Sequence, residues 1–194
     1  ETNEGPMPIE VFGKHNLSNL AGAKWICQNM GVDEEDFYEA IATFKGASKR
    51  LEKIAEGATS IAYKDFAHSP SKVAATTRAV KEQYPNRKLT ACLELHTYSS
   101  FNPEFLKEYK GALDAADEAV IFFLPESVAI KKLEAVTADQ ISEAFQRNDL
   151  KIFTDANSFH DYLETQSYKD TTLLLMSSGN YGGFDLNKLH GLLS

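Results

Sequence analysis

Asn16 and Asn19 stand three residues apart behind Gly13, Lys14 and His15, at the start of a helical pattern. That spacing puts both amides on one face of the first turn. An amide offers a donor beside an acceptor, which matches the amino group and ring nitrogen of an adenine edge. Asparagine is also a favoured helix N-cap, and the spacing allows either reading. Arg50 follows the loop Lys45-Gly46-Ala47-Ser48-Lys49; its guanidinium could fork onto a phosphate or stay in solvent. Asp65 closes an apolar run and is followed by Phe66-Ala67-His68-Ser69-Pro70. An aspartate at the carboxyl end of a strand, next to a helix start, can accept from ribose hydroxyls or cap that helix. His68 is placed either to touch a phosphate or to orient the loop.

Two later segments are rich in small polar groups. His96-Thr97-Tyr98-Ser99-Ser100-Phe101-Asn102-Pro103 follows a strand-like run and could line a substrate pocket, with His96, Ser99 and Ser100 as contacts. Ser177-Ser178-Gly179-Asn180-Tyr181-Gly182-Gly183-Phe184 offers Asn180 in the same role. It resembles a phosphate cradle but lacks the Gly-Lys-Ser/Thr ending of a P-loop. Turns and loops of this composition are also common without any ligand. His15, His68, His96, His160 and His190 lack metal-ligand spacing, and no Ser–His–Asp arrangement can be drawn.

The elements that must hold these residues follow from periodicity. Residues 7–12 alternate weakly and predict a short strand. Residues 16–30 follow a helical period stopped by Gly31, and Asp33 can cap a second helix with Phe37, Ala40, Ile41 and Phe44 on its buried stripe. The pattern breaks at 45–49, the expected boundary between two units. Beyond it, strands and helices alternate. Strands are expected at 61–66, 89–95, 119–124, 151–153 and 173–176, and helices from Ser69-Pro70 to about 84, at 104–113, from Thr137, and at 158–165. Such alternation predicts an α/β fold, a Rossmann-like and mostly parallel sheet flanked by helices, preceded by a short mainly helical piece. Ligands of such sheets bind beyond the carboxyl ends of the strands. That is where the loops after 66, 95, 124 and 176 lie.

With 194 residues and 43% hydrophobic content the chain can bury a sizeable core. Its longest aliphatic–aromatic run, 119–124, is far short of the ~20 residues of a membrane span, and no signal-peptide pattern opens it. The opening Glu1-Thr2-Asn3-Glu4-Gly5-Pro6 has no initiator Met and reads as a cut end. A net charge of −8 argues against a nucleic-acid partner. Cys27 and Cys92 form no CxxC and suit two buried thiols in a reducing cytoplasm.

Taken in order, His15-Asn16-x-x-Asn19, Phe44-Lys45-Gly46 with Arg50, and Tyr63-Lys64-Asp65-Phe66-Ala67-His68-Ser69-Pro70 resemble the second half of the Mur ligases. The likeness runs from about residue 13 to 189. It implies that Asn16 and Asn19 hold adenine with His15 beside them. It also implies that Arg50 reaches the ATP phosphates, and that Asp65 lies near the ribose with His68 following. Residues 1–48 would then end a central ATP-binding domain, and 49–194 would form the C-terminal Rossmann-like domain that receives the incoming amino acid or peptide. The implied reaction is ATP-dependent amide formation on UDP-N-acetylmuramate through an acyl phosphate, in the cytoplasm. Its P-loop lysine and Mg2+ ligands are expected upstream of Glu1, which leaves this piece inactive alone.

Within the family, residues 174–184 and 65–68 resemble first the branch that adds the tripeptide L-alanyl-γ-D-glutamyl-meso-diaminopimelate, and next the branch that adds L-alanine. Lys64 stands where an Asp is usual and Ser69 replaces a second His. The 94–100 loop lacks the arginines both branches carry there. The rival readings are a non-catalytic α/β binding domain and another amide ligase of this type, such as a folylpolyglutamate or cyanophycin synthetase relative.

Overall fold

The computed structural model describes residues 5–130 and 136–194; the expected cut end at residues 1–4 lies outside them. Six strands form one sheet in the order β1-β2-β6-β3-β4-β5. They are β1 (Glu52–Glu56), β2 (Ile61–Asp65), β3 (Lys88–Glu94), β4 (Glu118–Phe122), β5 (Lys151–Phe153) and β6 (Thr171–Met176). β1 runs antiparallel to β2, and every other neighbouring pair is parallel. The helices are α1 (Lys14–Asn29), α2 (Glu34–Ala42), α3 (Pro70–Gln83), α4 (Pro103–Leu106), α5 (Pro125–Ile130), α6 (Ala138–Phe145), α7 (Ala156–Thr165) and α8 (Lys188–Leu192).

The sheet is buried on both faces, which is why its central strands read as continuous apolar runs. Alternate residues sort to opposite sides. Tyr63, Leu93, Ile121 and Met176 join one core with Val73 and Val80 of α3 and Ile141 and Phe145 of α6. Ala62, Cys92, Val120, Phe122 and Leu175 join the other with Phe159 and Leu163 of α7 and Leu189 of α8. Phe122 stacks on Phe159 with ring centroids 4.5 Å apart, and Tyr109 stacks on Phe145 at 5.0 Å. The chain leaves β3 for β4 and β5, then returns to insert β6 between β2 and β3. The carboxyl ends of β2, β6 and β3 therefore lie side by side, where the strand order reverses and a crevice forms.

Several expectations are corrected. Residues 7–12 form no strand; Pro6 and Pro8 bring no N–H to a ladder, and Phe12 instead packs edge-on against Tyr63 at 5.5 Å and Tyr84 at 6.3 Å. The helix expected over 104–113 is only α4 followed by a 3-10 turn at Lys107–Tyr109, and Gly111 at φ 72 ends it. The edge strand β1 escaped notice because Glu52, Lys53 and Glu56 leave only Ala55 buried, the charged composition that protects a sheet edge. α5 and α8 were also missed; each spans about a turn and a half and shows too little period to read. On α2, Phe37 is buried and Asp33 caps as expected, but Ala40 and Phe44 are exposed. Cys92 is buried, whereas Cys27 is only half-buried. α1 buries no residue at all, and Trp25, Ile26 and Met30 stand open.

Candidate functional site

The first residues of α1 meet α3 at Gly13. Its φ of 88 is left-handed, and a Cβ there would sit 2.7 Å from the Cβ of Ala79. Only glycine permits that approach. Gly13, not an asparagine, is the N-cap of α1, so the capping alternative for Asn16 and Asn19 falls. Asn16 sits inside the first turn, and its Nδ2 donates to the Phe12 carbonyl at 3.0 Å. Asn19 projects one turn further on and is exposed.

Arg50 is presented by a strained turn. Lys49 and Leu51, on either side of it, have φ of 58 and 45, values that cost a non-glycine residue about 1 kcal/mol or more. The buried carboxylate of Asp65 holds this turn. Its Oδ2 accepts the Leu51 N–H at 2.8 Å and its Oδ1 the Ala67 N–H at 2.6 Å. The Phe66 N–H donates to the Lys49 carbonyl at 2.9 Å. Burial pushes the Asp65 carboxyl up from its usual value; the bonds from Leu51 and Ala67, then the charges of Arg50 and His15, only partly offset this. Asp65 does not cap α3, whose N-cap is Ser69. The Arg50 guanidinium lies 5.6 Å from the centroid of the Phe66 ring.

His15, Asn16, Asn19, Arg50 and Asp65 line one cavity of about 440 Å³ together with Ser71, Lys72, Ala75 and Thr76 of α3. A second cavity of about 340 Å³ shares Asn16, Asn19 and Arg50 and continues along Phe12, Leu20, Ile41 and Phe44. Sequence reasoning missed Ser71 and Lys72, although Ser69-Pro70 marked the helix start on which they sit. The N-terminal turn of α3, Lys72 and Arg50 give the larger cavity a cationic side suited to phosphate, and the amides of α1 give it a neutral polar side. His68 is not among its lining residues. The His68 ring nitrogen Nδ1 lies 2.8 Å from the Phe66 carbonyl, and its own carbonyl accepts from the Tyr109 hydroxyl, so it orients the loop.

A second polar cluster closes the carboxyl ends of β3 and β6. Glu94 is a buried carboxylate whose Oε2 accepts the Ser177 hydroxyl and the Tyr181 N–H, the latter at 2.9 Å. Gly179 donates to Ser177 Oγ at 2.6 Å and passes so close that a Cβ would lie 2.8 Å from Glu94 Oε2. Sequence reasoning gave Glu94 no role; a lone carboxylate ending an apolar strand was its one signal. His96 Nδ1 lies 3.9 Å from Glu94 Oε1. Ser100 is buried in bonds to Thr97, while Ser99 and Asn180 are exposed. The two clusters touch through the backbone, where the Ser177 N–H donates to the Asp65 carbonyl at 3.0 Å. Among the described residues no group of three or more His, Cys, Asp or Glu could hold a metal ion, and no helix is long and apolar enough to cross a membrane.

Residues 49–179 match the family described as Mur ligase, glutamate ligase domain. Curated relatives include the UDP-N-acetylmuramate–L-alanine ligase of Desulfitobacterium hafniense (strain Y51). It is 28% identical over 169 residues, which cover 87% of this chain and 36% of the relative. The enzyme of that name from Lactococcus lactis subsp. cremoris (strain MG1363) is 29% identical over 143 residues, 74% of this chain and 32% of the relative. The chain thus spans about a third of the length of these relatives. The crystal structure of UDP-N-acetylmuramate–alanine ligase from Thermotoga maritima superposes with a TM-score of 0.71 at 17% identity, covering 95% of this chain and 39% of that one. A murein peptide ligase from Psychrobacter arcticus 273-4 gives 0.66 at 20% identity, covering 97% and 39%. At such identities these likenesses show the fold alone. These two curated relatives carry the name of the L-alanine branch, which the sequence resemblance placed second. Within the 174–184 phrase, Ser177 donates its hydroxyl to Glu94 and Gly179 passes close against it.

Proposed function

Since the chain belongs to the Mur ligase family through its glutamate ligase domain, we propose that it is the C-terminal part of an ATP-dependent carbon–nitrogen ligase that adds L-alanine to UDP-N-acetylmuramate in the cytoplasm. The observation that carries this reading is the convergence of His15, Asn16, Asn19, Arg50 and Asp65 with the start of α3 on one cavity of about 440 Å³. In it the two asparagine amides address the adenine edge. Arg50, Lys72 and the α3 N-terminus receive phosphate charge, and Asp65 turns its remaining lone pairs toward ribose hydroxyls. The loops after β3 and β6, with His96, Ser99, Ser100 and Asn180, form the acceptor side. Residues 1–48 end a central nucleotide-binding domain, a reading supported by the uncovered Trp25, Ile26 and Met30 on α1. Mg2+ accompanies the nucleotide, with its ligands in the upstream part of the longer protein. The tripeptide-adding reaction is the second reading, supported by the fold likeness to the murein peptide ligase.

Phosphate release by the longer protein with UDP-N-acetylmuramate, ATP and Mg2+ tests this. Dependence on L-alanine is expected; dependence on the tripeptide alone selects the second reading, and no amine dependence overturns both. The chain alone should bind a non-hydrolysable ATP analogue weakly. About four hydrogen bonds averaging roughly 2 kcal/mol or less each, less an association cost of at least about 4 kcal/mol, leave no more than about 4 kcal/mol, a dissociation constant near or above about 1 mM.

A further inference from the structure

Among the described residues five non-glycine positions have a left-handed φ, and two of them flank Arg50: Lys49 at 58 and Leu51 at 45. Glycine takes such values freely; other residues keep them only where their surroundings impose them. The surroundings here are specific. The Leu51 side chain is buried in the core, and its N–H donates to Asp65 Oδ2 at 2.8 Å. The Phe66 N–H donates to the Lys49 carbonyl at 2.9 Å, and the Lys49 N–H donates to Glu52 Oε2 at 2.8 Å. Of the two carboxylate bonds, the one to Glu52 is exposed, where water can replace it, and the one to Asp65 is buried, where water cannot. Asp65 is itself locked, 4% exposed at the end of β2, with Oδ1 taking the Ala67 N–H at 2.6 Å. This scaffold presents one exposed side chain, Arg50, to both the 440 Å³ and the 340 Å³ cavities. The guanidinium belongs to none of the ion pairs among the described residues, so its charge is available to a ligand. A long side chain loses rotamer freedom when it grips an anion, and a fixed backbone beneath it reduces that loss.

Resting on the ligase reading above, we propose that Asp65 is a positioning residue for the nucleotide's phosphates: by fixing the turn at residues 49–51 it sets where the Arg50 guanidinium reaches. This effect is separate from any contact with the ribose. Its sign distinguishes it from a plain charge effect. Asp65 is an anion on the wall of the same cavity, so its charge repels a triphosphate, and removing that charge alone would tighten binding. Releasing the turn acts the other way, because Arg50 loses its fixed base. A neutral substitution at Asp65 that weakens the triphosphate therefore reports lost positioning, and the loss must vanish when Arg50 is absent.

The test is calorimetric titration of the longer protein with Mg2+ and 2′,3′-dideoxy-ATP, which has no ribose hydroxyl for Asp65 to meet. Four proteins are compared: the parent, Asp65→Asn, Arg50→Ala and the double variant. Asp65→Asn is expected to bind about three- to tenfold more weakly than the parent, and no more weakly than Arg50→Ala. In the Arg50→Ala background the same substitution is expected to weaken binding by less than about twofold, or to tighten it. The proposal is overturned if Asp65→Asn weakens the parent by less than about threefold, or by more than Arg50→Ala does. It is equally overturned if a loss above about twofold persists without Arg50, or if the parent binds ATP but not the dideoxy nucleotide, since Asp65 would then act on the ribose. Circular dichroism and the titration stoichiometry show that each variant is folded. Should Asp65→Asn not fold, Asp65→Glu, which keeps the charge and both oxygens but displaces them by one methylene, enters the same cycle with the same expected pattern. Failure of the ligase reading shows separately, as phosphate release by the parent that does not depend on an amine.

Discussion

Removing the Asp65 carboxylate should destabilise the fold in a graded way that reports how Arg50 is held. Asp65 is buried, and its two oxygens receive the N–H groups of Leu51 and Ala67 at 2.8 and 2.6 Å. Both donor residues are buried. Asp65→Ala leaves two N–H groups without a partner, at about 1–3 kcal/mol each, while relieving the cost of burying a carboxylate; the net expected loss is about 2–4 kcal/mol. Asp65→Asn keeps one acceptor and turns an NH2 toward the other N–H, for an expected loss of about 1–3 kcal/mol. Urea denaturation followed by circular dichroism gives both values from the shift in midpoint at constant slope. Hydrogen exchange at the Leu51 amide supplies the local readout: it should quicken in Asp65→Ala, since Lys49 and Leu51 at φ 58 and 45 are then free to relax. A loss below about 0.5 kcal/mol for Asp65→Ala would refute the argument, because it would mean that water satisfies these groups. Equal losses for the two variants would show that charge, not acceptor geometry, sets the role of Asp65.

At the amino-terminal end of β4, partial burial alone would raise the Glu118 carboxyl. Hydrogen bonds from Lys151, Lys88 and Tyr162 outweigh it and bring the group down from 4.5 to about 2. A depressed carboxyl stabilises the fold above its unfolded pKa, so this contribution should be present above about pH 4.5 and fade toward pH 2. The full shift corresponds to about 3 kcal/mol, and half-exposed lysine partners reduce the expectation to about 1–2 kcal/mol. Glu118→Gln should therefore lose about that much at pH 7 and flatten the profile between pH 5 and 3, measured by urea midpoints. Gly13→Ala should cost about 1–3 kcal/mol, since its Cβ would lie 2.7 Å from that of Ala79 at φ 88; a thermal midpoint unchanged from the parent would contradict this. In the longer protein, Lys72→Ala and Arg50→Ala should each weaken ATP binding by about tenfold through lost phosphate contacts, read by calorimetry, with the melting temperature of the ATP-free protein unmoved.

Much of the fold was legible in the sequence because it rests on local rules. The doubly buried strands announce themselves as apolar runs, and Thr137 with Gln140 forms the capping box that starts α6. Gly31, Ser69 and Pro70 punctuate helices by backbone geometry alone. The residues of the proposed nucleotide cavity were singled out for a different reason, namely an ordered resemblance, and their types say little singly. Asn16 as read from sequence could as well have been a cap. The tertiary structure decided that Gly13 is the cap and that Asn16, Asn19, Arg50 and Asp65 face one cavity. It decided that charged β1 is an edge strand, because pairing to β2 depends on a neighbour and not on the run itself. The role of Glu94 also needed the third dimension. Ser177 and Tyr181 lie 83 and 87 residues away along the chain and reach it because β6 inserts beside β3. Periodicity reports which face of an element is buried; it carries no information about which distant loop arrives to share a carboxylate.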